Sequence, residues 1–460
     1  MRFAIIGAGL AGLTAAYEIH KADPSAVIDV LEAGERIGGK LFTVPFASGP
    51  TDIGAEAFLA ARSDAVEFFT ELGLADSLVS PSEAKSQYYA GGKLHEFPAG
   101  GVMGIPAEAP TEAPEAPADT DHPFDWTPGQ DISVGELVRR QYGDEIVDTV
   151  VSSLLGGVYS STADDLGVRA SVPALAAALD QLAEAGEQVT LSAAVKTVQA
   201  QREATKGTSE TSGTSETRPV FQTFKGGYAE LYEALAEQCG ADIHLDSFVS
   251  AITKNAEGFT IKGGGEGTYD KVILAVPAPT AAVLLRDVAP DAAPHLRAIK
   301  LASSAIVGMR FDSSDGLPDN SGVLVAVNEP GITAKAFTFS SKKWPHLESR
   351  GGALVRASFG RLGDEASARM DEDLLVDAAL DDLLTITGFD GRAAGLSEIF
   401  VQRWFGGLPA YGVDHIATVA AARAEIAHVP GIEAIGAWAG GVGVPAVIAD
   451  AQAAVHRLIK

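Results

Sequence analysis

The apolar positions at the start of the chain fall in runs. Residues 2–6 (RFAII) and 26–33 (AVIDVLEA) are nearly continuous in hydrophobicity. Runs of that length predict short strands buried on both faces. Between them a glycine cluster gives way to a stretch that predicts a helix over 10–22. Strand, helix, strand makes a βαβ unit. A short strand is expected over 41–46 and a helix over 64–72. SQYYAGGKLHEF, residues 86–97, predicts a hairpin turning at Gly91 and Gly92. The βα pattern returns with a helix over 227–239, one or two strands over 241–254, and a hairpin over 259–277 that ends in a buried strand at 271–276. Alternating strands are expected over 304–311, 322–327 and 353–359. Residues 432–455 close the pattern with a buried strand, a glycine-rich turn, and a helix with Pro445 in its first turn.

Two stretches break the periodicity. Residues 106–131 are rich in Pro, Ala and acid, and predict a solvated, extended loop. Residues 205–217 (TKGTSETSGTSET) are of low complexity and predict an exposed segment. Between them Ser133 and Glu136 have the spacing of a capping box, opening a helix through Arg140.

Charge and cysteine content narrow the function. Asp and Glu total 61 against 34 Lys and Arg, a formal charge of −27. Such a surface repels phosphate backbones, so nucleic acid is not an expected partner. The single cysteine, Cys239, permits neither an intrachain disulfide nor a thiolate metal cluster, and no metal site is nominated. The N-terminus lacks the pattern of a signal peptide, and no apolar run reaches the ~20 residues that cross a bilayer. A cytoplasmic location is expected.

The glycines after the first strand carry the chemistry. Gly7, Gly9 and Gly12, in the run Gly7-Ala8-Gly9-Leu10-Ala11-Gly12, form G-x-G-x-x-G between a strand and a helix. The first permits a tight turn, the second lets backbone approach a pyrophosphate, and the third lets helix and strand pack closely. The helix N-terminus offers free N–H groups to the anion. Glu32 ends the second strand, where an acid accepts hydrogen bonds from a ribose 2′-hydroxyl and disfavours a 2′-phosphate. A glycine turn that binds nothing is the alternative; the flanking βαβ and the spaced acid favour a dinucleotide.

Glu32 is followed by Ala33, Gly34, Glu35, Arg36, Ile37, Gly38, Gly39 and Lys40. This E-x-x-x-R-x-G-G-K pattern resembles the flavin amine oxidase superfamily. The resemblance implies noncovalent FAD as cofactor, with its ring against Gly54, Ala55, Glu56 and Ala57. It also implies contacts from Val249, from Trp404, and from the C-terminal turn at Gly436, Val442, Gly443 and Val444. Further stretches resemble the protoporphyrinogen and coproporphyrinogen III oxidases, in the soluble Gram-positive type: GGKLHEFPAGGVMGIP, LLGGVYSSTADDLGVRAS, FTFSSKKWPH, RASFGRLGDE, RWFGGLPAYGVDH and GVGVPAVIADAQAAV. Two departures stand out. Residues 106–131 largely replace the helical insertion that follows VMGIP in the family, and Gly54-Ala55 stands where Gly-Pro is common.

The resemblance implies α/β and α+β architecture. An FAD-binding Rossmann-type domain would comprise 1–74, 220–290 and 426–460, and a mixed-sheet substrate domain 75–104, 160–219 and 291–425. A reduced helical insertion would span 105–159. It further implies oxygen-dependent oxidation of coproporphyrinogen III in haem synthesis, with hydrogen peroxide as product. Protoporphyrinogen IX is the alternative substrate; a flavin amine oxidase, or a flavin- or porphyrin-binding protein without turnover, lies further off. Expected partners are the porphyrinogen and oxygen, with transient contact to neighbouring pathway enzymes and at most peripheral contact with membrane.

No catalytic base is nominated. A substrate with four carboxylates needs local cations within so acidic a protein. Arg62 is the leading candidate, its alternative being a surface pair with Asp64 or Glu67. Lys342, Lys343 and Arg169 follow. Val158, Tyr159 and Phe359 are candidate pocket walls, with core packing as the alternative. His95 and His415 are read as structural or surface residues, and Trp404 with Trp438 as a pair that could imitate an amine oxidase's aromatic walls, although Val444-Pro445 resembles the porphyrinogen oxidases.

Overall fold

The computed structural model describes residues 1–108, 121–210 and 219–460. Its organising element is a five-stranded parallel sheet. The strand order is Asp242–His244, Val27–Leu31, Arg2–Ile6, Lys271–Leu274, Ile432–Ala434. The strands thus come from the beginning, middle and end of the chain. In the central strand Phe3 and Ile5 face the helices Leu10–Ala22, Ala229–Gln238 and Val444–Ile459. Ala4 and Ile6 face Ala278–Leu284, Ala292–Ala298 and His415–Ala427. Burial on both faces explains the unbroken apolar runs. This is the doubly wound, Rossmann-type arrangement, and its open edge for ligands lies where the strands end.

A seven-stranded mixed sheet forms the second body, ordered Leu396–Pro409, Leu301–Phe311, Ala353–Phe359, Ala336–Thr338, Gly322–Val325, Ser86–Ala90, Lys93–Glu96. Its pairs are antiparallel except Gly322–Val325 with Ser86–Ala90. One face packs on the helix Glu372–Thr387. The other carries Ile306 and Leu354 against Val44, Phe46 and Ile53.

The helical part is larger than expected. Val134–Tyr142, Ser152–Tyr159, Pro173–Glu184 and Leu191–Glu210 are all helices. From Val134 to Val198 they share one apolar cluster, joined by Val102 and Ile105 of the VMGIP stretch. This apolar cluster spans the stretch at 105–159 and continues into residues 160–198, beyond the bounds expected for the helical insertion. Its amphipathic pattern is what holds it together: Leu175, Ala178, Leu179 and Leu182 recur at helical spacing on the buried side.

Both irregular stretches are partly corrected. Of 106–131, residues 109–120 lie outside the described residues; within 121–131 Phe124 and Trp126 pack on the helical body, while Pro123, Asp125 and 127–129 are exposed. Trp126 is buried and its indole N–H donates to Asp180 at 2.8 Å, while Phe124 N–H donates to Val189 O at 3.0 Å. Of 205–217, the first six residues continue the helix Leu191–Glu210, and the rest lie outside the described residues. Ser133 does cap its helix, its hydroxyl accepting from Glu136 N–H at 3.0 Å.

Glu56 fastens the two sheets together. Its carboxylate meets Lys343 Nζ at 2.8 Å, Arg356 Nη1 at 3.8 Å and the Ser340 hydroxyl at 2.7 Å. Although burial alone would raise it, the two cations bring this carboxyl down from 4.5 to about 2. A carboxyl depressed on folding contributes stability above its unfolded value and loses it as pH falls toward the folded value. Glu56→Gln is expected to cost on the order of 3 kcal/mol at neutral pH. Urea titrations should show that gap constant from pH 7 to about 5 and shrinking between about 4.5 and 2. A gap independent of pH would contradict the clamp.

Candidate functional site

The C-terminal edge of the parallel sheet gathers the glycine segments. Gly7, at φ +106°, turns the chain out of the first strand, and its N–H donates to Leu31 O at 2.8 Å. A Cβ on Gly12 would lie 1.9 Å from Gly7 O, so the third glycine is required for packing. Gly9 differs from both. Its φ of −77° suits any residue, and a Cβ there would meet only Gly39 Cα at 3.7 Å. The missing side chain preserves open space above the helix N-terminus, where Gly9 offers no side-chain cap. Bare backbone, uncapped amides and room for a phosphate fit a dinucleotide. Leu10 and Ala11 are buried behind this surface.

The second glycine turn lies directly against the first. Gly38 N–H donates to Ala8 O at 2.8 Å, and a Cβ on Gly39 would stand 2.9 Å from Gly9 Cα. Glu32 ties the loops from the side: its carboxylate accepts from Ala8 N–H and Gly34 N–H, both at 2.8 Å. Ala33 is exposed beside it. Arg36 turns inward. It donates to Gly39 O at 2.7 Å, Ile37 O at 3.0 Å and Leu41 O at 3.2 Å, and sits 3.9 Å from the Phe42 ring centre. Arg36 thus fixes the turn by holding its carbonyls. Trp404 joins this group, 6.5 Å from Phe42 and 5.8 Å from Arg36. Lys40 is open to solvent yet flanked by protein, and desolvation brings its ammonium down to about 8.

The segment from Gly54 to Ala57 runs beside these turns, half-buried throughout. A Cβ on Gly54 would lie 2.1 Å from Lys40 O, and Ala55 N–H donates to that same oxygen at 3.3 Å. Arg356 donates to Gly54 O at 2.7 Å from the second sheet. The Glu56 carboxylate is committed to Lys343 and Arg356, so this segment can present only backbone and methyl groups to a ligand.

At the chain's end Gly436 N–H donates to Asp450 at 3.2 Å, and Asp450 is also paired with Arg423. This fixes the turn that delivers Val442, Gly443 and Val444 to the start of the helix Val444–Ile459. That helix has no side-chain cap. Val442 packs partly on the helical body. Val249 is buried with Leu31 on the sheet's other face.

The substrate-side candidates fare differently. Arg62 is a surface arginine paired with Asp64, with Nε–Oδ1 at 2.9 Å. Lys342 pairs with Asp319 at 3.4 Å, Lys343 with Glu56, and Arg169 with Asp180 at 2.7 Å. Phe359 is fully buried against the helix Glu372–Thr387. Successive strand residues face opposite sides, so Arg356 and Ser358, not Phe359, belong to the face turned toward the glycine segments. Tyr159 is a core residue whose hydroxyl donates to Ser171 O at 3.2 Å. Val158 is exposed beside it. Trp438 is 2% exposed, its indole donating to Val276 O, so it forms no aromatic wall with Trp404. His415 is buried, stacked on Tyr411 and bonded to Trp438 O at 2.9 Å; burial lowers it from its ordinary value. His95 stacks on Tyr88. Arg356 and Phe42 escaped the sequence reading; the one signal was an arginine within the otherwise apolar strand ALVRASF.

Over 471 residues the chain is 35% identical to the coproporphyrinogen III oxidase of Mycobacterium tuberculosis, covering 100% of this chain and 97% of that protein. It is 28% identical to the coproporphyrinogen III oxidase of Bacillus subtilis, covering 98% and 96%. A crystal structure from Exiguobacterium sp. 255-15, of a candidate protoporphyrinogen oxidase, superposes with a TM-score of 0.83 at 29% identity, covering 99% and 98%. Residues 10–459 match the family described as flavin containing amine oxidoreductase, and the chain belongs to that family.

Proposed function

We propose that the chain oxidises coproporphyrinogen III to coproporphyrin III with noncovalent FAD, oxygen being the acceptor and hydrogen peroxide the second product, in haem biosynthesis. The observation that carries this reading is the full-length likeness to coproporphyrinogen III oxidases. The glycine cradle supports it by leaving space for a dinucleotide over Gly9.

The residues that would hold the cofactor are the loop from Gly7 to Gly12, Glu32, the turn at Gly38 and Gly39, Lys40, the segment from Gly54 to Ala57, Val249, Trp404 and the turn from Gly436 to Val444. Bound FAD supplies the removal of hydrogen from the saturated bridges of the porphyrinogen and its transfer to oxygen. The protein positions and shields. Gly9 exposes backbone to the pyrophosphate, Glu32 offers a carboxylate to ribose hydroxyls, and Arg36 holds the second turn by its carbonyls. Arg356 and Glu56 fix the segment against which the ring would lie. Cys239, the only cysteine, is buried among Rossmann-side helices and its thiol is raised by burial, so a cysteinyl bond to the flavin is not expected.

Two experiments test this. Acid precipitation of the purified protein should release FAD into the supernatant. Gly9→Val should fold, because φ −77° accommodates valine, yet keep less than about a tenth of the wild-type flavin after desalting. Release of FMN, flavin retained by the precipitate, or full loading of Gly9→Val would contradict the site. In an aerobic assay with matched porphyrinogens, kcat/KM for coproporphyrinogen III should exceed that for protoporphyrinogen IX by about tenfold or more, since buried donors lose partners when two carboxylates become vinyls. A preference for protoporphyrinogen would overturn the substrate.

A further inference from the structure

Two cations lie together between the helical body and the seven-stranded sheet without a carboxylate between them. Lys335 precedes the strand Ala336–Thr338 and is 4% exposed. Its Nζ donates to Gly360 O at 2.6 Å and to the Ser160 hydroxyl at 2.5 Å. Arg361 follows the strand Ala353–Phe359. Its Nη2 donates to Val325 O at 3.0 Å, while its buried Nε has no partner. Lys335 is brought down to about 7 by burial and by Arg361, and Arg361 is lowered by burial. The acid acting on both is Asp364, whose carboxylate is turned to Ser367 N–H at 3.2 Å as a helix cap.

The surroundings are built around this pair. The helix Ser152–Tyr159 comes down on the sheet at two glycines. A Cβ on Gly156 would lie 3.7 Å from Arg361 Nε, and one on Gly157 would lie 3.2 Å from Leu324. Ser160 ends the helix at φ +50°, a conformation serine adopts at a cost, and is held there by Leu362 N–H donating to its carbonyl at 2.7 Å. Gly157 and Val158 are open to solvent, and Arg361 and Leu324 beside them are half-buried, so solvent reaches the pair from that side. Adjacent cations whose neighbouring acid, Asp364, is engaged as a helix cap are unfavourable, and an anion beside them relieves that cost. The planar guanidinium with unused donors suits a carboxylate.

We infer that Arg361, with Lys335 behind it, binds a carboxylate of the substrate beside Gly157 and Val158. This inference rests on the proposed porphyrinogen reading, which supplies a ligand with four carboxylates. It replaces Arg62 as the point where an acidic protein meets an acidic substrate.

Arg361→Gln and Arg361→Lys test it in the flavin-loaded enzyme. Arg361→Gln should raise KM for coproporphyrinogen III by about 10- to 100-fold while kcat changes by less than about threefold, and Arg361→Lys should recover most of the loss. Flavin content and melting temperature should stay at wild-type values. Binding of coproporphyrin III, followed by its fluorescence, should weaken by the same factor, and binding of its tetramethyl ester should not. Wild-type KM and affinity in Arg361→Gln would overturn the inference while leaving the functional reading intact. A loss of melting temperature that Arg361→Lys fails to rescue would assign Arg361 to structure alone. Absence of coproporphyrinogen turnover by the wild type would overturn the functional reading, and the inference would then stand or fall on the difference in coproporphyrin binding.

Discussion

The structure depends on one close approach: backbone against backbone where the turn at Gly38 and Gly39 meets Ala8 and Gly9. A side chain on Gly39 would be driven into Gly9, and the Gly38–Ala8 hydrogen bond would part. That contact sets the height of the open surface over the first helix. Glu32 spans the two loops, and Arg36 holds the carbonyls of the second, so neither loop can move without the other. The sheet beneath supplies the rigidity, because its strands are buried on both faces and end together at this edge. Rigid support with bare backbone at the point of contact is what anion recognition by a dinucleotide site requires.

The second sheet is tied to this edge through charge. Glu56 leaves the glycine segments and is neutralised by Lys343 and Arg356 from the other body. The segment from Gly54 to Ala57 is also pinned at its start, where Ala55 N–H donates to Lys40 O and Arg356 donates to Gly54 O. In a chain with a formal charge of −27, the candidate cations Arg62, Arg169, Lys342 and Lys343 are all already paired. Lys335 and Arg361 stand apart from that pattern, and for that reason they, and not the more conspicuous Arg62, draw attention as the substrate's anchor.

Much of the Rossmann side was legible because its signals are local. The helix Leu10–Ala22 follows from a glycine start and an apolar run, and the three glycines have three separate steric reasons. The hairpin at Gly91 and Gly92 was equally plain, both residues having positive φ. What escaped was tertiary. Phe359 read as a pocket wall, but one step of strand alternation sends it to the opposite face from Arg356 and Ser358. The extent of the helical body was not legible because the Pro- and acid-rich stretch before it suggested an extended loop, and Trp126 packs into that body all the same. Arg62 looked like a ligand by its place in the chain; Asp64, two residues on, takes it. No periodicity reveals that two cations 26 positions apart, Lys335 and Arg361, come close enough for one to act on the other.

The account's central claim is that a flavin bound at the glycine edge takes its electrons from a porphyrinogen. Mixing the purified, flavin-loaded protein with coproporphyrinogen III under strict anaerobiosis tests that claim most directly. The account predicts loss of the oxidised-flavin absorbance together with the rise of porphyrin absorbance, and return of the flavin bands when oxygen is admitted. Flavin that stays oxidised with coproporphyrinogen III and with protoporphyrinogen IX, yet bleaches on addition of an amine, would contradict it.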